Sequence, residues 1–174
     1  MSTIQAIPSQ KITPFLWFEN QAEAAARFYV SLFDDSAVTQ VVRGGPGGPA
    51  PEGAVMTVAF RLAGQAFVAL NGGKQIPFTD AVSFVINCHT QAEIDALWAG
   101  LSDGGSPGPC GWLKDRYGVS WQVVPAQLPQ LLSGPDAESA ARVMQALCTM
   151  HKIDLETLRQ AHAGAALVSS HSLN

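Results

Sequence analysis

Apolar positions along the chain fall into two similar rounds followed by a purely helical stretch. In the first round Lys11 to Phe18 is apolar and aromatic and predicts a strand, with Pro14 tolerable only near its start or at an edge. Asn20 then caps a helix, and Glu23 completes a capping-box pattern. Helical spacing predicts that Ala24, Phe28 and Leu32 or Phe33 are buried before the chain breaks at Asp34-Asp35-Ser36. Ala37 to Arg43 is a β-branched strand, and Ala54 to Leu62 and Gln65 to Leu70 form a hairpin across Ala63-Gly64. Between them, Gly44 to Gly53 is too rich in Gly and Pro for a helix or central strand, so it is a surface loop.

The second round opens after a connector, Asn71 to Asp80. Val82 to Cys88 is a strand, and Thr90 caps a helix that buries Ile94, Leu97, Trp98 and Leu101. Thr90-Gln91-Ala92-Glu93 repeats Asn20-Gln21-Ala22-Glu23 at an offset of 70 positions. A doubled supersecondary unit predicts a ligand site between its copies. Asp103 to Pro109 breaks the chain, and any strand there is short. Cys110 to Leu113 and Val119 to Pro125 form a hairpin around Lys114-Asp115-Arg116-Tyr117-Gly118.

Beyond Pro125 the period becomes helical. Asp136 caps a segment with Val143, Met144, Leu147 and Met150 on one face; Asp154 caps another with Leu155, Leu158 and Ala161, ended by Gly164. The boundaries implied are a tail 1–10, modules 11–73 and 74–126, and a helical extension and frayed tail 127–174. The extension reads as a cover, a clasp or a subunit contact.

Composition narrows the function classes. Hydrophobic residues make up 47% and charged residues 14%, which describes a globular chain. A net charge of −4 with no Lys/Arg stripe argues against nucleic-acid partners. The N-terminus has no secretory pattern and no apolar run spans a membrane, so no membrane partner is expected. Cys88, Cys110 and Cys148 contain no CxxC pair, which points away from a disulfide framework or zinc ribbon and towards a reducing, cytoplasmic setting.

The order of strand, helix and three strands, given twice, resembles the vicinal oxygen chelate superfamily of glyoxalase I, extradiol dioxygenases and bleomycin-resistance proteins. Lys11 to Phe18, Arg27-Phe28-Tyr29-Val30-Ser31-Leu32-Phe33, Leu70-Asn71-Gly72-Gly73, Ser83 to Cys88 and above all Cys110 to Pro125 are similar to the PhnB-like family, often labelled 3-demethylubiquinone-9 3-methyltransferase. Arg142-Val143-Met144-Gln145-Ala146 and Lys152-Ile153-Asp154 are similar to its tail. The resemblance implies an α+β fold with two βαβββ modules in a glyoxalase/bleomycin-resistance-like curved sheet, a C-terminal helical extension, and a homodimer.

It also implies where a metal would sit: Thr13 or Pro14, Ala69, Ser83 and Gln122 occupy the usual ligand positions. Of these only Gln122 could ligate, so no metal site and no cofactor are expected. His89, His151, His162 and His171 read as solvated or helix-end residues. Cys88 and Cys110 each border a strand, and contact between them is conceivable, but burial is the usual fate of such thiols. The methyltransferase label meets no Gly-rich strand-to-helix turn, since Glu19-Asn20-Gln21 fills that place.

Strand alternation places Thr13, Phe15 and Trp17 on one face with Phe67, Ala69 and Asn71, then Ser83, Val85 and Asn87, then Ser120, Gln122 and Val124. Thr13, Phe15, Trp17, Phe67, Asn71, Ser83, Asn87 and Gln122 are therefore the candidate ligand contacts, while no catalytic residue is identified. The expected function is binding of a small organic molecule in a cavity between the modules. Alternatives are a metal-dependent lyase or dioxygenase, a methyltransferase, and a non-catalytic sequestering or interaction module.

Overall fold

A computed structural model of the chain describes residues 10–48, 50–133 and 136–164; the tails up to Ser9 and from Ala165 lie outside the described residues. The chain divides into two compact units, one ending at Pro77 and one beginning at Phe78.

The first unit runs β1 (Phe15–Phe18), α1 (Ala22–Val30), β2 (Ala37–Arg43), β3 (Val55–Leu62) and β4 (Gln65–Asn71). Its sheet has the order β1-β4-β3-β2, with β1 parallel to β4 and the other pairs antiparallel. The β3–β4 turn fits its sequence: Ala63 and Gly64 both have positive φ, 45° and 81°, the combination a two-residue hairpin needs. β1 starts at Phe15 and not Lys11. Residues 11–13 are exposed, and pairing begins where the Pro14 carbonyl accepts from the Val68 N–H at 3.0 Å.

Helix α1 differs from expectation in its start, its face and its end. It begins after Gln21, and neither Gln21 nor Asn20 caps it with a side chain. The buried face is Ala22, Ala25, Ala26 and Tyr29, whereas Ala24 is exposed and Phe28, Leu32 and Phe33 are half-buried. The three alanines let the helix approach the sheet closely, and the bulk comes from aromatics: Tyr29 stacks on Phe60 at 6.2 Å and Phe60 on Phe67 at 5.4 Å. The helix stops at Val30, where the Ser31 hydroxyl donates to the Phe28 carbonyl at 2.7 Å.

Strand register also corrects the predicted face. Leu16 pairs with Ala69 and Phe18 with Asn71, while Phe15 pairs with Val68 and Trp17 with Leu70. Phe67, Ala69 and Asn71 therefore share the helix-covered side with Leu16 and Phe18, opposite to Phe15 and Trp17. Alternation within one strand cannot fix the phase between two strands.

The second unit runs β5 (Phe84–Cys88), α2 (Gln91–Ser102), β6 (Ser106–Pro107), β7 (Trp112–Lys114), β8 (Ser120–Pro125), α3 (Leu128–Leu132), α4 (Ala137–Cys148) and α5 (Leu155–Ala163). Its sheet order is β5-β8-β7-β6, again with the outer β5 parallel to its neighbour. The α+β class, the doubled strand-helix-strand-strand-strand order and the C-terminal helices are as expected. Val82 and Ser83 precede β5, which begins at Phe84. Thr90 caps α2 as predicted, its hydroxyl accepting from the Glu93 N–H at 3.1 Å while Glu93 Oε2 accepts from the His89 N–H at 2.7 Å. Ile94, Leu97 and Leu101 are buried, and Trp98 is only half-buried.

α3 was not legible, because Pro129 reads as a breaker; it sits in the first helical turn, where its missing N–H costs nothing. α4 buries Ser139, Val143, Ala146 and Leu147, and Met144 is 46% exposed, one position off the buried stripe. Asp136 and Asp154 cap α4 and α5, and Gly164 ends α5 at φ 72°. Val124, Val143, Ala146, Leu147, Ile153, Leu158 and Ala161 form one apolar core, so the helical extension belongs to this unit. Gln91 reinforces the join, donating to the Ile153 carbonyl at 3.0 Å and accepting from the Leu155 N–H at 2.8 Å. Among the described residues no helix is long and apolar enough to cross a membrane.

Candidate functional site

The side of the second sheet turned away from α2 carries its polar chemistry. Register places Gln122 between Val85 and Trp112, and pairs Ser120 with Lys114. Gln122 Nε2 donates to the Ser83 hydroxyl at 2.8 Å, so two predicted contacts meet. Beside them the Ser120 hydroxyl donates to Asp80 Oδ1 at 2.7 Å, and Lys114 Nζ lies 3.2 Å from the same oxygen. The Ser120 hydrogen bond, then that of Lys114, holds the Asp80 carboxyl below its ordinary pKa despite some desolvation. Asp80 is thereby kept as an acceptor.

Next to this cluster lies an open recess of about 450 Å³, lined by Asp80, Ser106, Pro107, Pro109, Trp112 and Lys114 among others. Its wall is shaped by close backbone approaches. A Cβ at Gly105 would stand 2.1 Å from the Lys114 carbonyl oxygen, and one at Gly108 3.1 Å from that of Trp112. The Gly108 N–H donates to that Trp112 oxygen at 2.7 Å, and His151 Nδ1 is 2.8 Å from the Gly108 oxygen.

Asp115, by contrast, is structural. It is 3% exposed; its Oδ1 accepts from the Tyr117 and Val119 N–H groups at 2.8 and 3.1 Å, and its Oδ2 from Trp121 Nε1 at 2.8 Å. The Lys114 to Gly118 motif thus builds the β7–β8 turn, with Gly118 at φ 87°, and sets Lys114 on the recess.

The remaining predicted contacts fare differently. Asn87 is exposed on the same side of the second sheet. In the first unit Thr13 is exposed and Phe15 is 58% exposed. Trp17 lies over Gly72 and donates from Nε1 to the Lys74 carbonyl at 2.8 Å. Phe67 is buried in the core. Asn71 is engaged at both ends, accepting from the Ala22 N–H at 2.8 Å and donating to the Val55 carbonyl at 3.0 Å. Sequence reading passed over Asp80, Trp112 and Lys114; the signal was the alternation of Trp112 and Lys114 opposite Gln122 and Ser120.

Cys88 and Cys110 are both free thiols. Cys88 is buried, and desolvation, with Glu93 adding to it, pushes its thiol up to about 12. Among the described residues no three His, Cys, Asp or Glu side chains converge to hold a metal ion.

The sequence profile of a family described as 3-demethylubiquinone-9 3-methyltransferase matches residues 10–124. The PhnB protein of Bacillus cereus is 40% identical, covering 67% of this chain and 100% of its own, with a TM-score of 0.61. The chain belongs to this PhnB-like family. Protein PA1353 of Pseudomonas aeruginosa shares the fold at 22% identity, over 63% of this chain and 92% of its own, with a TM-score of 0.53. A glyoxalase/bleomycin resistance protein from Albidiferax ferrireducens T118 is 16% identical over 63% of this chain and 92% of its own, with a TM-score of 0.41. No curated protein matches. The profile match ends at Val124, so α3, α4 and α5 lie beyond it.

Two groups that the PhnB-like label and its fold imply can be tested on these residues. A divalent metal does not fit: the outward side of the first sheet offers Phe15, Trp17, Val68 and Leu70, and that of the second offers the Gln122 amide, the Ser83 and Ser120 hydroxyls and a single carboxylate, Asp80, already engaged by Ser120 and Lys114. S-adenosylmethionine does not find its usual Gly-rich strand-to-helix cradle either, since Glu19-Asn20-Gln21 joins β1 to α1. Each sheet is mixed and four-stranded, and the N-terminus of α1 is already occupied by the Asn71 amide.

Proposed function

We propose that this PhnB-like chain binds a small, flat organic molecule carrying polar oxygens in the recess of its second unit. The observation that carries this reading is the juxtaposition, around about 450 Å³ of open space, of the Trp112 ring with the Lys114–Asp80 pair. An indole wall offers area for stacking at small entropic cost, and a lysine beside a carboxylate offers a donor and an acceptor together. The volume suits a ligand of modest size.

The groups favour binding over acid–base chemistry. Asp80 is held ionised by two donors and is a poor general acid near neutral pH. Gln122 donates to the Ser83 hydroxyl, and neither an amide nor an aliphatic hydroxyl titrates near neutral pH. A binding or sequestering protein accounts for these features without the metal or methyl donor that the residues fail to accommodate.

A thermal-shift screen of aromatic acids, quinones and phenols tests the reading. Ligands that stabilise the wild type are expected to lose at least about tenfold in affinity, roughly 1.4 kcal/mol, in Trp112→Ala or Lys114→Ala. Circular dichroism checks that each variant remains folded. Stabilisation that survives both substitutions overturns this site, and a screen with no stabilising compound overturns the binding reading.

A further inference from the structure

Two of the three cysteines meet in a way the sequence did not suggest. Cys110 follows the recess wall at Pro109 and has φ 57°, the left-handed conformation that a non-glycine residue rarely adopts. It is held there by the C-terminal extension: the Cys110 N–H donates to the Met150 carbonyl at 2.7 Å, and the Gly111 N–H to that of His151 at 2.8 Å. Cys148, the last residue of α4, stands two positions before Met150, so these backbone bonds bring the end of α4 against Cys110, and the Cys148 thiol is near enough to perturb that of Cys110. Gly111 allows no repacking by a side chain, since a Cβ there would come within 2.7 Å of the Val123 oxygen.

We propose that Cys110 and Cys148 form a reversible disulfide under hydroperoxide, fastening the recess wall to the end of α4. Cys148 is exposed and reacts first: its sulfur attacks the peroxide, an S–O bond forms, the O–O bond breaks and water leaves. The half-buried Cys110 then attacks the sulfenic sulfur; an S–S bond forms, the S–O bond breaks and a second water leaves. Two thiols lose two electrons and the peroxide gains them. A small thiol reductant reverses the sequence by exchange. Burial, reinforced by Cys148, raises the pKa of the Cys110 thiol and lowers its thiolate fraction, so the exposed Cys148 is the thiol that meets the peroxide and Cys110 acts only through its proximity to the sulfenic acid. Cys88, buried elsewhere in the unit, stays out of the reaction.

The test uses the full reduced chain exposed to a small molar excess of hydrogen peroxide. Titratable thiols are expected to fall from three to one and to return with dithiothreitol. Digestion with trypsin and a glutamyl endoproteinase, which cuts at Glu93 between Cys88 and Cys110, should yield a peptide pair joined through Cys110 and Cys148. The oxidised wild type should melt about 5 °C higher, and Cys110→Gly, which suits the left-handed backbone, should lose both the cross-link and the shift while Cys148 becomes trappable by dimedone. The proposal is overturned if Cys148 proceeds to the sulfinic acid with Cys110 still free, if Cys88 enters the cross-link, or if Cys148 only joins two chains. None of these readouts depends on a ligand occupying the recess.

Discussion

The two modules begin their helices with nearly the same four residues and cap them by different means. In the second, Thr90 and Glu93 supply the cap locally. In the first, Asn20 is exposed, Glu23 turns to Arg27 and Arg43, and the first N–H of α1 is bonded by Asn71 from the end of β4. The register explains the difference. Phe18 pairs with Asn71 in the first sheet, and the matching pair in the second is Cys88 with Pro125. Proline has no side-chain amide, so the second helix needs its own cap. Nearly identical local wording was put to different use because a distant strand brought, or failed to bring, a partner.

The residue after each of these pairs extends the contrast. The Gly72 N–H donates to the Phe18 carbonyl and the Ala126 N–H to that of Cys88, both at 2.8 Å. A Cβ at Gly72 would stand 2.0 Å from the Trp17 ring, whereas the second module already carries alanine at the equivalent place. Gly72→Ala should therefore cost about 2–3 kcal/mol in urea unfolding, by displacing Trp17 from its bond to Lys74, and Ala126→Gly under about 1 kcal/mol. Equal costs at the two positions would dissolve the contrast.

A smaller effect separates the caps themselves. Asn71→Ala leaves the Ala22 N–H and the Val55 carbonyl without this partner and should cost about 2 kcal/mol; Thr90→Ala removes one cap bond and should cost about 1 kcal/mol. Urea denaturation of both variants checks the order. A Thr90 variant weaker than the Asn71 variant would mean that the distant cap is incidental.

The smallest effect concerns Glu23. The hydrogen bond from Arg27, aided by the charges of Arg27 and Arg43 and opposed by desolvation, lowers its pKa. A carboxyl lowered on folding stabilises the protein above its unfolded value and loses that contribution as pH falls through the folded one. The melting-temperature gap between wild type and Glu23→Gln should thus be widest near neutral pH and close as the pH drops below the ordinary glutamate range of about 4.3. Because the pairs are solvent-exposed, molar salt should narrow it too. A gap that grows on acidification would contradict the ion-pair role.

Legibility followed the range of the forces involved. The β2 strand, the Ala63-Gly64 turn, the caps at Thr90, Asp136 and Asp154 and the stop at Gly164 depend on residues within a few positions of one another, and all were read from the sequence. The alternation that sets Val85, Asn87 and Gln122 on one side of the second sheet also held, because neighbouring strands there share the phase assumed, and Ser83, just before β5, reaches Gln122 by a hydrogen bond. In the first sheet the phase of β4 against β1 was one residue away, which sent Phe67 and Asn71 to the helix side. The buried stripe of α1 was likewise rotated, since alanines rather than larger residues set how closely it packs.

The sequence by itself determined the doubled β-α-β-β-β order, the helical extension and membership of the PhnB-like family, because periodicity, turn chemistry and local motifs are short-range properties. Only the tertiary structure decided that Asn71 caps a helix, that Asp80 joins Ser120 and Lys114 beside Trp112, and that the Cys110 backbone is held by Met150, just past the end of α4. Each of those meetings joins residues 32 or more positions apart, where strand register and helix docking choose the partner and no local preference can.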